Sequence, residues 1–86
     1  MSDALPHLLV VDDDTRLRGL LRKYLSDRGY RVTVAADAAE ARARLQGLSF
    51  DLLILDLMLP GESGLELARD LRKSSSVPIL MLTAMG

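Results

Sequence analysis

The apolar residues of this chain occur in two kinds of segment, and the two kinds predict different secondary structure. Short runs made only of apolar residues predict strands that are buried on both faces, as in a parallel sheet covered by helices. Three runs are of this kind: Leu8–Val11, Leu52–Leu55 and Ile79–Leu82. A further segment, Arg31–Ala36, alternates apolar with polar residues and predicts a half-exposed strand at an edge of the sheet.

Three segments with a helical period separate the predicted strands. In the first, Asp14 is expected to cap the helix and Gly29 to end it. The apolar residues of this segment fall on one helical face: Leu17, Leu20, Leu21, Tyr24 and Leu25. The second helix is expected to begin at a capping box formed by Asp37 and Glu40, and the third begins at or just after Ser63.

Strands that alternate with helices in this way form a parallel sheet. Because crossover connections are right-handed, the first helix lies on one face and, if the exposed second strand is an edge, the later helices lie on the other. The predicted fold is therefore an α/β, doubly wound parallel sheet with the strand order 2-1-3-4. The direction of winding reverses between strands 1 and 3, and sheets of this type bind ligands at that point.

The last predicted strand does not fit a complete sheet of this kind. Ile79–Leu82 is apolar throughout, yet it lies at an edge in this strand order. The sheet face that the first helix covers also lacks a second helix. We therefore expect residues 1–86 to be part of a longer domain, and we expect the uncovered sheet to make the chain a homo-oligomer.

Composition narrows the class of protein. The 86 residues allow one domain, and a net charge of -1 argues against a nucleic-acid-binding surface. Without cysteine the chain has no disulfide or thiolate metal site, and its one histidine, His7, is interpreted as a tail residue and not a ligand. No apolar run approaches the ~20 residues of a membrane span, and the N-terminus lacks the features of a secretory signal. We expect a cytoplasmic protein that does not enter the membrane.

Two of the predicted strands end in acidic residues. Asp12 and Asp13 follow the first strand and Asp56 follows the third, so these side chains should meet where the winding reverses. Two like charges repel by about 4 kcal/mol at roughly 4 Å and an effective dielectric near 20, so three ionised acids need either a cation or strong hydrogen-bond donors. The sequence places no Lys, Arg or His at a strand end to balance them, and a divalent metal is the simpler answer. Oxygen ligands without Cys or His favour Mg²⁺. The alternative is that the acids only cap the first helix, for which Asp14 is sufficient.

Asp56 is the acid on the central strand, and we assign the reaction to it. A carboxylate can attack phosphorus to give an acyl phosphate, while a metal offsets the charge on the transferred group. Thr83 either donates its hydroxyl to a phosphoryl oxygen or is an ordinary strand-terminal threonine. A Mg²⁺-dependent phosphatase of the dehalogenase type also attacks with a strand-end Asp. That class has a second acid two residues later, where this chain has Met58.

Three motifs resemble those of two-component response-regulator receiver domains. They are VVDDD at Val10–Asp14, LILDLMLPGESG at Leu53–Gly64 and PILMLTA at Pro78–Ala84. The residues that follow Asp56 are similar to the OmpR/PhoB-like branch in particular, and the resemblance covers essentially the whole chain. It implies a flavodoxin-like (CheY-like) fold whose fifth strand and last two helices are missing from these residues.

The resemblance also implies roles for the acidic cluster. Asp56 accepts a phosphoryl group from the phosphohistidine of a sensor histidine kinase. Asp13 binds Mg²⁺ directly, Asp12 binds it largely through water, and Asp56 and the backbone carbonyl of Met58 complete the protein ligands.

The remaining implications concern the switch and the output. Thr83 is the switch hydroxyl, and the small Ala84 beside it leaves access for the phosphoryl group. The family's catalytic Lys lies on the fifth strand, so this chain contains none. In the OmpR/PhoB-like branch a DNA-binding output domain follows the receiver, and DNA is contacted through that domain. The chain is expected not to be an enzyme, beyond catalysing its own phosphorylation and dephosphorylation.

Overall fold

The computed structural model describes residues 5–82. Within them the strands are β1 (His7–Val11), β2 (Arg31–Ala35), β3 (Leu52–Asp56) and β4 (Ile79–Leu82). The helices are α1 (Thr15–Asp27), α2 (Ala38–Gly47) and α3 (Gly64–Arg72). All neighbouring strands are parallel, in the order β2-β1-β3-β4. This confirms the predicted doubly wound sheet and its strand order.

The core lies between the sheet and helices α2 and α3. Leu9 and Leu53 are paired neighbours on β1 and β3, both are fully buried, and they contact Leu67 of α3 and Ala41 of α2 in one cluster. Each large aliphatic side chain that is removed from water contributes about 1.5–3 kcal/mol. This face of the sheet, which we call the closed face, therefore supplies most of the hydrophobic stabilisation.

Within residues 5–82, the opposite face of the sheet, which we call the open face, is covered by α1 alone. None of the 13 described residues of α1 is buried. Its Leu20 and Tyr24 are 57% and 54% exposed, and Leu80 of β4, which pairs with Ile54 of β3, is 52% exposed. The predicted apolar stripe of α1 thus contacts the sheet only in part, and apolar surface remains exposed on this face.

The helix starts follow the predicted caps, with one correction. Asp14 accepts hydrogen bonds from the backbone N–H groups of α1, and Ser63 forms a complete capping box with Glu66 at the start of α3. At α2, Asp37 caps the helix, but the Glu40 carboxylate accepts from the Ala36 N–H and not from Asp37. Among the described residues, no helix has the length and hydropathy needed to cross a bilayer.

The interpretation of His7 as a tail residue is wrong. His7 is the first residue of β1 and is buried, with its Nε2 atom 2.7 Å from Thr33 Oγ1 and its ring centroid 4.4 Å from that of Phe50. Its backbone N–H donates to Asp51 Oδ2 at 2.8 Å. A polar ring can be buried here because Thr33 satisfies it, and that partner lies 26 residues away in sequence.

Candidate metal centre

The acidic cluster lies at the carboxyl ends of β1 and β3. Val11 and Leu55 are paired in the sheet, so the residues that follow them, Asp12 and Asp56, leave neighbouring strands side by side. One carboxylate oxygen from each of Asp12, Asp13 and Asp56 lies within 4.8 Å of the others. The expected convergence of these three acids is therefore present.

The three carboxylates line an open cleft of about 370 Å³. Its other lining residues are Asp14, Leu17, Met58 and Leu82. Asp12 is buried, Asp56 is half-buried and Asp13 is exposed, so the cleft deepens from Asp13 towards Asp12. The site is thus open to an ion or a phosphoryl group from solvent.

Backbone donors fix the orientation of two of the carboxylates. Asp12 Oδ1 accepts from the Asp14 N–H at 2.8 Å, and Asp56 Oδ1 accepts from the Met58 N–H at 3.0 Å. Both bonds span two residues, and they form because the chain turns sharply as each strand ends. They hold one oxygen of each group, so Asp12 and Asp56 are oriented by the protein's own backbone.

The electrostatics of the cleft favour a cation. Burial is the largest cause of a raised pKa at Asp12, and the charges of Asp56 and Asp13 raise it further, while the hydrogen bond from the Asp14 N–H opposes them. Within residues 5–82, no Lys, Arg or His forms an ion pair with these three carboxylates. Three converging oxygen donors of this kind fit a hard divalent ion such as Mg²⁺.

Sequence reasoning found no basic residue near these strand ends, but the structure places Arg18 there. Its Nη1 atom donates to the backbone carbonyl of Asp12 at 2.8 Å. The guanidinium binds the main chain and, within residues 5–82, forms no ion pair with the three carboxylates. The only sequence signal was the position of Arg18 about one turn inside α1.

A second residue whose role the sequence did not reveal is Gly64. It is buried at the start of α3, and a Cβ atom at this position would lie 2.0 Å from the backbone oxygen of Asp56. Only glycine therefore lets α3 approach the end of β3 so closely. A glycine at the first position of a helix with a good cap is the signal that would have indicated this contact.

The other predicted site residues are placed as follows. Met58 lines the cleft with a side chain that is 70% exposed. Leu82, which pairs with Asp56, is the last described residue of β4. Thr83 and Ala84 lie outside the described residues.

A family model described as "Response regulator receiver domain" matches residues 8–86. The chain belongs to this family. This receiver domain is 58% identical to Protein PetR of Rhodobacter capsulatus over 86 residues, which is all of this chain and 36% of PetR. It is 46% identical over 79 residues to the transcriptional regulatory protein ResD of Bacillus subtilis, covering 92% of this chain and 33% of ResD. The chain thus spans about a third of the length of these curated relatives.

Solved structures of receiver domains have the same fold. The chemotaxis response regulator CheY4 of Vibrio cholerae matches with a TM-score of 0.91 at 38% identity, over 95% of this chain and 71% of that one. The response regulator TrrA of Thermotoga maritima, solved in complex with Mg(2+)-BeF, matches with a TM-score of 0.88 at 38% identity, over 95% and 72% of the two chains. The expected CheY-like fold is confirmed, and the family favours a receiver over a phosphatase.

Proposed function

We propose that this receiver domain accepts a phosphoryl group on Asp56, with Mg²⁺ bound beside it, from the phosphohistidine of a sensor histidine kinase in the cytoplasm. The observation that carries the proposal is the convergence of three carboxylates within 4.8 Å at the ends of two adjacent strands. The family match supports a kinase as the donor. The Mg(2+)-BeF complex of TrrA, a protein of the same fold, supports a metal in this cleft.

The chemistry begins with the Asp56 carboxylate. The Met58 N–H holds Oδ1, which orients the group and leaves Oδ2 to attack phosphorus. The new O–P bond forms as the N–P bond of the phosphohistidine breaks, and the imidazole nitrogen keeps the electron pair and takes up a proton. The product is an acyl phosphate. Mg²⁺ supplies the positive charge that offsets the charge of the phosphoryl oxygens.

The residues around Asp56 have metal-binding and switch roles in this proposal. Asp13, which is exposed, is the direct ligand of the ion, and the more deeply buried Asp12 acts largely through water. The backbone carbonyl of Met58 completes the protein ligands. We assign the switch hydroxyl to Thr83 and phosphoryl access to the small Ala84.

The output is proposed to lie outside these residues. Relatives that this chain matches over about a third of their length include proteins described as transcriptional regulators. We infer that phosphorylation here controls DNA binding by an output domain elsewhere in the whole protein. The receiver residues themselves carry a net charge of -1 and are not proposed to bind DNA. Their catalysis is limited to their own phosphorylation and dephosphorylation.

The test is labelling of the chain with a small-molecule phosphodonor in Mg²⁺, with and without the substitution Asp56→Asn. We expect the label to be lost in this variant. The matched control is Asp51→Asn, an acid at the opposite end of β3 that accepts a hydrogen bond from the His7 N–H. Labelling that survives Asp56→Asn would contradict the proposal. If the wild-type chain is not labelled, beryllofluoride binding in Mg²⁺ examines the same site, and its absence would count against the site as well.

A second candidate function is self-association through the open face. Leu80, Leu20 and Tyr24 each expose more than half of their surface on this side of the sheet. Exposed apolar edge strands are sites of pairing between chains. We propose that two or more copies cover this face with one another, which is compatible with phosphorylation of Asp56.

Sedimentation at several concentrations tests this candidate. We expect a concentration-dependent dimer or larger species that Leu80→Lys dissociates. Leu65→Lys is the control, since Leu65 lies on α3 and is also exposed, at 45%. A monomer at every concentration would argue against self-association.

A further inference from the structure

The loop between β3 and α3, residues 57–63, carries Met58 and connects it to the start of α3. Its first residue donates to the Leu82 backbone oxygen at 3.1 Å, and its last residue, Ser63, caps α3. Between these two ends, residues 58–62 form no backbone–backbone hydrogen bond within the described part of the chain. The middle of the loop therefore depends on side chains for its position.

Leu59 packs against the hydrophobic core, and one polar side chain from another element binds the middle of this loop. The guanidinium of Arg42, on α2, donates from Nε to Glu62 Oε1 at 3.2 Å and from Nη2 to Glu62 Oε2. The same Nη2 donates to Asp70 Oδ2 of α3 at 2.8 Å. Arg42 therefore links α2, the loop and α3 through one planar group.

This contact differs from an ordinary surface ion pair. It is bidentate at Glu62, and the side chains of Arg42 and Glu62 are only 35% and 32% exposed. Isolated exposed ion pairs contribute little to folding stability, because solvent screens the charges and both side chains lose conformational freedom. Two parallel hydrogen bonds from one guanidinium fix the direction of the contact as well as its distance. The hydrogen bond with Glu62 is the largest cause of a raised pKa at Arg42, which agrees with a tight contact.

We propose that Arg42 is a positioning residue for the candidate metal centre, acting through Glu62 on the loop that carries Met58. This inference rests on the proposed function, because it assumes that Mg²⁺ binds the acidic cluster with the help of the Met58 carbonyl. Mg²⁺ demands near-ideal octahedral geometry. A loop that is held in place before the ion arrives loses less entropy on binding, so the contact raises the affinity.

Electrostatics and positioning predict opposite signs for the substitution Arg42→Met. Removing a positive charge from the neighbourhood of a cation site strengthens Mg²⁺ binding by Coulomb's law. Releasing the loop weakens it. We expect the Mg²⁺ affinity to fall by about threefold to tenfold. Removing a group that bonds directly to a metal ligand typically costs about 10–100-fold, and Arg42 acts less directly.

The experiment is an NMR titration of the 86-residue chain with Mg²⁺, comparing the wild type with Arg42→Met. Arg44→Met is the matched control, since it removes the same charge from the same helix but from a residue paired with Glu40. The control should bind Mg²⁺ as the wild type does. Equal or tighter binding by Arg42→Met would overturn the inference while leaving the proposed function intact. No binding by the wild type would overturn both.

Two further measurements guard against loss of folding. Arg42→Lys keeps the charge and is a milder change, but it loses the two parallel hydrogen bonds to Glu62. A positioning role therefore predicts weaker Mg²⁺ binding by this variant, whereas electrostatics alone predicts an unchanged Mg²⁺ affinity. Backbone ¹⁵N order parameters of the metal-free protein should fall at Leu59, Gly61 and Glu62 and not in β3. Wild-type affinity in Arg42→Lys together with unchanged order parameters in the loop would exclude the positioning role.

Discussion

The two faces of the sheet are built from neighbouring residues of the same strands, yet they are covered very differently. On the closed face, Leu9, Leu53 and Leu67 are fully buried beneath two helices. On the open face, α1 buries none of its described residues, and Leu80 remains half-exposed. Since the composition of the strands is apolar on both sides, the difference arises from the number of helices that pack on each side.

The difference separates a face that the described residues stabilise by their own packing from a face that they leave partly exposed. The closed face has a continuous cluster that links β1 and β3 to α2 and α3. The candidate metal centre lies at the ends of these same two strands, and its loop is bound by Arg42 of α2. The site is therefore supported from both faces, because the Asp14 N–H and Arg18 of α1 bind Asp12 from the open face.

The largest expected effect comes from truncating one leucine on each face. Leu67→Ala on the closed face should lower the free energy of unfolding by about 2–5 kcal/mol, because it leaves a cavity among fully buried neighbours. Leu20→Ala on the open face should change it by less than about 1 kcal/mol, because more than half of that side chain is exposed. Both substitutions replace a helical leucine by alanine, so the change in helix propensity is the same in the two variants. Urea unfolding followed by circular dichroism measures both, and equal losses would contradict the comparison.

Magnesium should stabilise the chain by an amount that depends on its excess over the dissociation constant. At about a hundredfold excess the gain in the free energy of unfolding is about 2.7 kcal/mol. Asp13→Asn should remove most of this gain while leaving the metal-free protein no less stable, because it relieves repulsion in the cluster. Asp27→Asn, a change to an exposed acid of α1, should keep the gain. Equal stabilisation of all three proteins would show that the ion binds elsewhere.

Two glycines at helical positions, one beside each face of the sheet, should respond in opposite ways to substitution by alanine. Gly64→Ala should destabilise the protein by about 1–3 kcal/mol, because the new Cβ atom would collide with the Asp56 backbone oxygen. Gly19→Ala, on α1, meets no atom within 4 Å and should stabilise the protein by about 0.5–1 kcal/mol through helix propensity. Thermal unfolding of the two variants measures these opposite signs. A neutral Gly64→Ala would mean that α3 can move away from β3 at little cost.

The smallest expected effect is on the pH dependence of the free energy of unfolding, through Asp70 of α3. The hydrogen bond from Arg42 lowers the pKa of Asp70 below its usual 3.8. Because this pKa is lower in the folded than in the unfolded chain, its contribution to stability is present above pH 3.8 and disappears as the pH falls through the lowered value. Asp70→Asn should therefore flatten the loss of stability in this acid range. Arg42→Met should flatten it in the same way, and an unchanged slope in both variants would contradict the linkage.

Much of the fold could be predicted because side-chain periodicity is a local property. The apolar runs located β1, β3 and β4 to within one residue, and alternation identified β2 as an edge. The caps at Asp14 and Ser63 were also predictable, since a cap bonds only to the next few residues. The predicted capping box at Asp37 forms only in part. Asp37 caps the helix, but the Glu40 carboxylate accepts from the Ala36 N–H, one residue before the N–H that a capping box would use.

Which segments are strands and helices, the order of the strands, and the presence of three acids where two strands end could all be predicted from the amino-acid sequence. These properties follow from the spacing of residues along the chain and from the handedness of crossovers. The burial of His7 against Thr33, the close approach of Gly64 to Asp56, and the bond between Arg42 and Glu62 are instead consequences of tertiary packing. No rule of spacing specifies them, because they depend on distances between separate elements, which packing alone sets.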